Sequence, residues 1–527
     1  MVSDSTFKLT YATMFNPPEE LHTKYEEALA KLKTGFGKEY GMIINGEEVF
    51  AEEKVENRSP ADTDVVLGVF QKGTVEHAHA ALKAARAAAR AWAHTPWQER
   101  VAIVRKAASI MDRRIFEMGA VLSLEVGKNR MEGLGDVAET ADLMRYACDR
   151  MEANNGFVAE MGRDPLTGYV STNYSVLKPY GVWLVISPFN FPGALTGGPT
   201  GSALVAGNTV VIKPATDTPW TARLITECLI EAGIPAGVVN YVTGPGSTLG
   251  QALIESPEVD GITFTGSYDV GMKIFRDFAQ GPWVRPTILE LGGKNPTIVS
   301  RNADLETAAI GILRSAFGLQ GQKCSAGSRV YIEEPVYDKL VARLVELTKA
   351  LKIGDPTARE NFLGPVINKG SYRDYQGFIQ EIKEAGKILT GGEVLTEGAY
   401  ARGYFCAPTL AELPFTHRLW KHEMFVPITT VGKVSDLETA MKYANDVDYG
   451  LTAGFYGTEE EARWFFDNIE AGVTYANRPN GATTGAWPGF QPFGGWKGSG
   501  SSGKNGGGLY YVQLYMHEQI QNLVRKA

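Results

Sequence analysis

This 527-residue chain has few of the features that would place it on a metal, a membrane or a nucleic acid. It holds only four cysteines, Cys148, Cys228, Cys324 and Cys406, far apart and with no CxxC pair. That excludes the common zinc spacings and a disulfide framework, and it points to a reducing compartment. The seven histidines form no HExxH or HxxxH pair, so no metal is expected. No apolar run approaches the roughly 18 residues needed to span a bilayer. Basic residues number 52 against 60 acidic ones, a net charge of −8, with no basic stripe for a nucleic acid. The first fifteen residues lack a charged stretch followed by an apolar one, so a cytoplasmic protein is expected. A hydrophobic content of 44% excludes a disordered chain. Glycine is the surplus: 59 residues, where ordinary usage of about 7% would give roughly 37. It concentrates in residues 181–300 and 472–508, the expected places for backbone to approach a ligand.

The chain reads as an α/β protein. Residues 1–40 are polar and read as an N-terminal arm. Residues 75–155 carry apolar residues at helical spacing, with Val137, Met144, Ala147 and Met151 near one face. Alternation on both sides of a turn at Asp164–Gly168 predicts a β-hairpin over 157–177, a protruding flap. From Tyr180 the pattern becomes strand–helix–strand, with strands at 181–187, 209–213, 238–242 and 261–264 and helices near 219–232 and 246–256. Continuous β-branched runs between helices predict a doubly wound parallel sheet. A second α/β pattern follows from about 300, with a strand at 330–334, a helix at 336–351 and a strand at 432–437. The expected units are a dinucleotide-binding domain (41–156 and 178–290), a catalytic domain (291–504), and a flap and tail (157–177 and 505–527).

Several loops carry residue types suited to chemistry. Thr265-Gly266-Ser267 ends a strand; glycine permits a tight turn, Ser267 caps the next helix, and free N–H groups there hold an anion. A plain βα turn reads the same way, because the full GxGxxG pattern is missing. Glu290 stands beside Gly292 and Gly293, either as a solvent-reachable general base or as a structural carboxylate. Cys324, in a Gly/Gln/Lys-rich loop, is either a thiolate nucleophile or a buried structural thiol. Asn190, between Pro188 and Pro192, is either an oxyanion donor or a turn residue.

The motifs occur in the order SPFNFP (187–192), VVIKPA (210–215), FTGS (264–267), ELGGKNP (290–296), GQKCSA (321–326), HEMFVP (422–427) and PFGGWKGSG (492–500). In this order they resemble the aldehyde dehydrogenase superfamily, over nearly the whole chain from about Ile43. The resemblance implies two doubly wound parallel-sheet domains with a β-hairpin oligomerisation flap. It implies that Cys324 attacks an aldehyde, that Asn190 and the Cys324 N–H hold the oxyanion, and that Glu290 activates water on the thioester. It implies NAD as cofactor, with Lys213 at the adenosine ribose, Gly266 and Ser267 at the pyrophosphate, and Glu423 and Phe425 at the nicotinamide ribose and ring. Two positions depart from the pattern. Thr216 stands where a ribose-binding glutamate is usual, which removes a carboxylate that would repel a 2′-phosphate and opens the site to NADP. Val426 stands where glycine is usual.

The stretch TTGAWPGFQPF (483–493) further resembles the L-glutamate γ-semialdehyde (1-pyrroline-5-carboxylate) dehydrogenases of proline breakdown. There Ser325, Gly485 and Ala486 would hold the substrate carboxylate, since small residues free adjacent N–H groups for an anion. The partners implied are a small-molecule aldehyde and a second copy of the chain, as a homodimer or larger homo-oligomer. Leu509, Tyr510, Tyr511, Leu514 and Tyr515 are apolar enough to expect a partner surface. Two alternatives stand beside this reading: a dehydrogenase of another small aldehyde, and a non-catalytic relative that binds or scaffolds.

Overall fold

The computed structural model describes residues 17–479 and 487–527. Its first sheet has seven strands: β1 (Met42–Ile44), β2 (Glu47–Val49), β3 (Val182–Ile186), β4 (Thr209–Lys213), β5 (Val239–Tyr241), β6 (Gly261–Thr265) and β7 (Thr287–Glu290). They lie in the order β7-β6-β3-β4-β5-β1-β2. The strands β7-β6-β3-β4-β5 are parallel, and the antiparallel pair β1 and β2 closes the β5 edge, with β1 antiparallel to β5. Val182, Trp183, Leu184 and Val185 are all buried, because helices cover both faces.

The second sheet has β8 (Asn295–Val299), β9 (Gly327–Glu333), β10 (Lys387–Thr390), β11 (Thr409–Glu412), β12 (Ile428–Val434), β13 (Thr452–Tyr456) and β14 (Val473–Ala476). Their order is β10-β11-β12-β9-β8-β13-β14, parallel except for the β10 edge. Two doubly wound sheets are thus present, as the sequence predicts. One strand is misplaced by the sequence reading. The strand expected at 432–437 runs over Ile428–Val434, and Asp436 instead caps the next helix by accepting from the Thr439 N–H at 2.8 Å. Its threonine-rich start hides the apolar signal.

Val158–Glu160 and Tyr169–Pro179 pair antiparallel, which is the predicted hairpin. The tail Met516–Lys526 adds a third strand, paired with Tyr169–Pro179 along its whole length. Ile520 and Leu523 stay exposed on it. The expectation for the tail's apolar residues divides: Leu509 and Tyr510 are exposed, whereas Tyr511 and Tyr515 are buried in the chain's own core. The Tyr515 ring packs against Trp183 of the first sheet, and the Tyr511 ring packs on that of Tyr515.

Helix α1 (Arg130–Ala153) packs on helix α2 (Ala194–Ala206). Three glycines and Pro199 make α2 a poor helix by propensity. It forms because those glycines let the two axes approach: a Cβ at Gly201 would lie 2.8 Å from Met144 Cγ. Asp136 of α1 fixes the contact. Its Oδ1 accepts from the Ala194 N–H at 2.8 Å, and its Oδ2 pairs with Lys128 Nζ at 2.9 Å, with both side chains fully buried. Replacing Asp136 by alanine leaves the Lys128 charge buried and unpaired. The expected cost is about 3–5 kcal/mol, read as a lowered urea midpoint; a loss under about 1 kcal/mol contradicts the role.

Candidate active site

The chain lays down β3, β4 and β5 outward, then returns to place β6 on the other side of β3. The connections after β3 and β6 therefore diverge, and a crevice opens at their carboxyl ends. A cleft of about 790 Å³ lies there. Its walls include Asn190, Lys213, Thr216, Gly266, Ser267, Cys324, Glu423 and Phe425, so eight predicted residues from two sheets converge. A smaller cavity of about 70 Å³ adjoins it, walled by Leu143, Phe191, Leu195, Phe493, Glu290 and Ser325. Cys324 belongs to both, with Thr265 and Leu291. Gly485 and Ala486 lie outside the described residues.

The cleft has the size and lining of a dinucleotide site. At one end Lys213 is buried, with Nζ donating to the Pro214 carbonyl at 3.2 Å, and burial lowers its pKa to about 8. At the other, Phe425 meets Phe189 edge-on at 5.8 Å. Helix α3 (Tyr268–Phe278) starts at Ser267, so its free N–H groups border the cleft. The Ser267 side chain makes no capping bond, contrary to expectation; only its backbone occupies the cap position. Glu423 Oε1 accepts from the Gly293 N–H at 2.8 Å. Burial raises the Glu423 pKa to about 7, against the pull of that N–H and of Lys294.

The Cys324 loop is held from two sides. Asn295, at the start of β8, donates to the Cys324 carbonyl at 2.7 Å and to the Ala326 carbonyl at 2.8 Å. Lys323 Nζ pairs with Glu132 of α1 at 2.7 Å, and the other Glu132 oxygen accepts from the Leu319 N–H at 3.2 Å. Sequence reasoning missed Asn295, Glu132, Lys128 and Asp136. Asn295 was within reach, inside the same motif as Glu290; the α1 acids give a signal only once their partners' positions are known. The glutamate loop is held by the closing segment: the Leu291 N–H donates to the Ser499 carbonyl at 2.8 Å, and Ser499 Oγ donates to the Gly292 carbonyl at 2.7 Å.

Burial pushes the Cys324 thiol up, and the nearby Glu423 and Glu290 carboxylates add to it. The N–H groups of Ser325 and of Cys324 itself oppose this by favouring the thiolate. Burial alone pushes Glu290 well above the usual carboxylate range, and its Oε2 has no hydrogen-bond partner.

Residues 49–520 match the aldehyde dehydrogenase family. The chain belongs to the aldehyde dehydrogenase family. It is 40% identical over 508 residues to the 1-pyrroline-5-carboxylate dehydrogenase of a Geobacillus species, covering 95% of each chain. It is 39% identical over 505 residues to 1-pyrroline-5-carboxylate dehydrogenase 2 of Bacillus subtilis, again covering 95% of each. The solved structure of 1-pyrroline-5-carboxylate dehydrogenase from Thermus with bound NAD superposes with a TM-score of 0.91 at 35% identity, over 97% of each chain.

The raised pKa values of Cys324 and Glu290 fix a pH dependence. A thiol attacks as thiolate and a carboxyl accepts a proton only when ionised, so both active forms grow as pH rises. Initial rates are expected to climb as pH rises above the ordinary carboxylate range, by up to tenfold per unit below the controlling pKa. Rates at constant ionic strength and saturating substrates check this; a flat profile contradicts it.

Proposed function

We propose that this chain oxidises L-glutamate γ-semialdehyde, the open form of 1-pyrroline-5-carboxylate, to glutamate in proline breakdown. The observation that carries the reading is the position of Cys324, at the junction of the dinucleotide-sized cleft and the smaller cavity. The names of the relatives supply the substrate.

In this reading the Cys324 thiolate attacks the aldehyde carbon. The Asn190 amide and the Cys324 N–H hold the resulting oxyanion. NAD, when bound, supplies the hydride acceptor that converts the thiohemiacetal to a thioester. Glu290 then takes a proton from water as the water oxygen attacks the thioester carbon. The C–S bond breaks, the thiolate is restored and the acid leaves. Lys213, Thr216, Gly266, Ser267, Glu423 and Phe425 hold the cofactor, and Ser325, Gly485 and Ala486 hold the substrate carboxylate. The unit boundaries near 291 and 505 belong to the same reading, as does a cytoplasmic homo-oligomer joined through the flap and tail.

Cys324→Ala abolishes NADH formation. Glu290→Gln completes one turnover and stalls as the thioester, so full steady-state turnover in that variant removes Glu290 as the base. Among aldehydes of equal length, the semialdehyde has the higher kcat/KM; parity with an uncharged aldehyde overturns the substrate.

Cofactor choice follows from charge. Among the described residues lining the cleft, Glu423 is the sole acid, and it lies at the nicotinamide end in this reading. The adenosine end carries Lys213 and Thr216, so NADP is admitted beside NAD. Thr216→Glu restores a carboxylate there and lowers kcat/KM with NADP by about tenfold or more relative to NAD. An unchanged NADP/NAD ratio contradicts the assignment of this end of the cleft.

A further inference from the structure

The cavity that holds Glu290 has no lysine or arginine in its described lining. The titratable groups around it are Glu139 and Tyr146 of α1, Cys324 of the nucleophile loop, and Tyr511 of the tail. Tyr515 lies behind Tyr511, and Glu423 lies across the thiol. A carboxylate that must ionise to act as a base thus has no cation on its wall. Neutral donors are what remain, and one of them has a fixed direction.

Trp183 Nε1 donates to Thr263 Oγ1 at 2.9 Å. Thr263 Oγ1 and the Tyr515 hydroxyl are 3.1 Å apart, and the Tyr515 hydroxyl donates to that of Tyr511 at 2.9 Å. An indole N–H only donates, and a tyrosine hydroxyl has one proton. Tyr515 has given its proton to Tyr511, so Thr263 supplies the proton of the middle bond. Every proton in the chain points the same way, from the sheet towards the tail. The last one belongs to Tyr511, whose own oxygen already accepts. Tyr511 and Tyr515 are four residues apart on one helical turn, 6% and 0% exposed, so neither hydroxyl is turned by water. Ser202, Thr265 and Ser325 also line the cavity, but Tyr511 ends this one-way chain.

We propose that Tyr511 is a positioning residue for the deacylation base, its hydroxyl proton aimed by the Trp183–Thr263–Tyr515 chain into the wall it shares with Glu290. This rests on the reading of Glu290 as base. A donor to the ionised carboxylate stabilises that form, and the Glu290 charge in turn raises the pKa of both tyrosines.

The test follows breakdown of the acyl-enzyme directly. The enzyme is loaded with glutamate γ-semialdehyde and NAD, quenched at intervals across the pH range, and the thioester is counted by mass spectrometry. Tyr511→Phe keeps the ring and removes the proton. Its breakdown profile is expected to move up by about one pH unit, so that decay is about tenfold slower at neutral pH and converges with the parent at high pH. Tyr515→Phe and Thr263→Val leave the Tyr511 hydroxyl but release its orientation; each shifts the profile the same way by less. They decide the matter if the Tyr511 variant does not fold. A profile that does not move, or a decay slowed equally at every pH, overturns the proposal. Glu290→Gln run in parallel separates the two failures. If it hydrolyses the thioester at the parent rate, the base assignment fails. If it stalls while the tyrosine profiles stay fixed, only the Tyr511 role fails.

Discussion

In the proposed chemistry two loops from two different sheets meet at one carbon atom, and the side chains of α1 hold both loops in place. Glu132 grips the nucleophile loop through Lys323 and the Leu319 N–H. One turn further on, Asp136 grips the first N–H of α2, which the Asn190 loop enters. Residues at i and i+4 share a helix face, so the helix sets the spacing between the two loops. Phe191 lies between these anchors, with Lys128 Nζ 3.6 Å and Lys323 Nζ 5.9 Å from its ring centre. It also walls the smaller cavity. The spacing of the two loops is thus inherited from a rigid element rather than from loop conformation.

The site is placed where water is scarce, and this determines its electrostatics. Cys324, Glu290 and Glu423 all have raised pKa values with burial as the leading cause. In a low dielectric the dipoles aimed at the thiol and at the aldehyde oxygen act more strongly than they would in water. The same burial would make a permanently ionised Glu290 costly. In the proposed reaction Glu290 acts only after the thioester has formed, and the upward shift of its pKa favours the neutral carboxyl before that step.

The sheets were legible because their strands are buried on both faces and read as unbroken apolar runs. Thr209–Lys213 lies where the sequence puts it, and the helix after it spans Pro219–Ala232 as expected. That Cys324, Glu290, Asn190 and the cofactor-cleft residues gather around adjoining cavities was legible only from the motifs taken jointly, since each has a bland alternative taken alone. What escaped the sequence were relations between distant segments. Asp136 resembles any helix acid until Lys128 and Ala194 are seen beside it. Helix α2 defies propensity because its reward is a close approach to α1. Tyr511 and Tyr515 resemble surface aromatics because nothing local reveals that the tail folds back under the first sheet.

The glycine surplus takes on a second meaning in the structure. Backbone approach to ligand explains part of it, at the cleft turn carrying Gly266. Elsewhere the glycines let the catalytic loops approach each other. A Cβ at Gly318 would meet Lys323 Nζ at 2.8 Å, in the ion pair that holds the nucleophile loop. A Cβ at Gly321 would lie 2.5 Å from the Val426 carbonyl, and Gly321 also has φ +68°, which any other residue would resist. Val426, the residue that departs from the usual glycine, is itself buried in the core of the second sheet. Its backbone buttresses the cysteine loop while its side chain anchors the Glu423–Phe425 segment. The nucleophile loop and the proposed nicotinamide-facing segment are therefore in direct backbone contact at Gly321. A substitution there would shift the thiol and the cofactor site together, which neither loop's own sequence would lead one to expect.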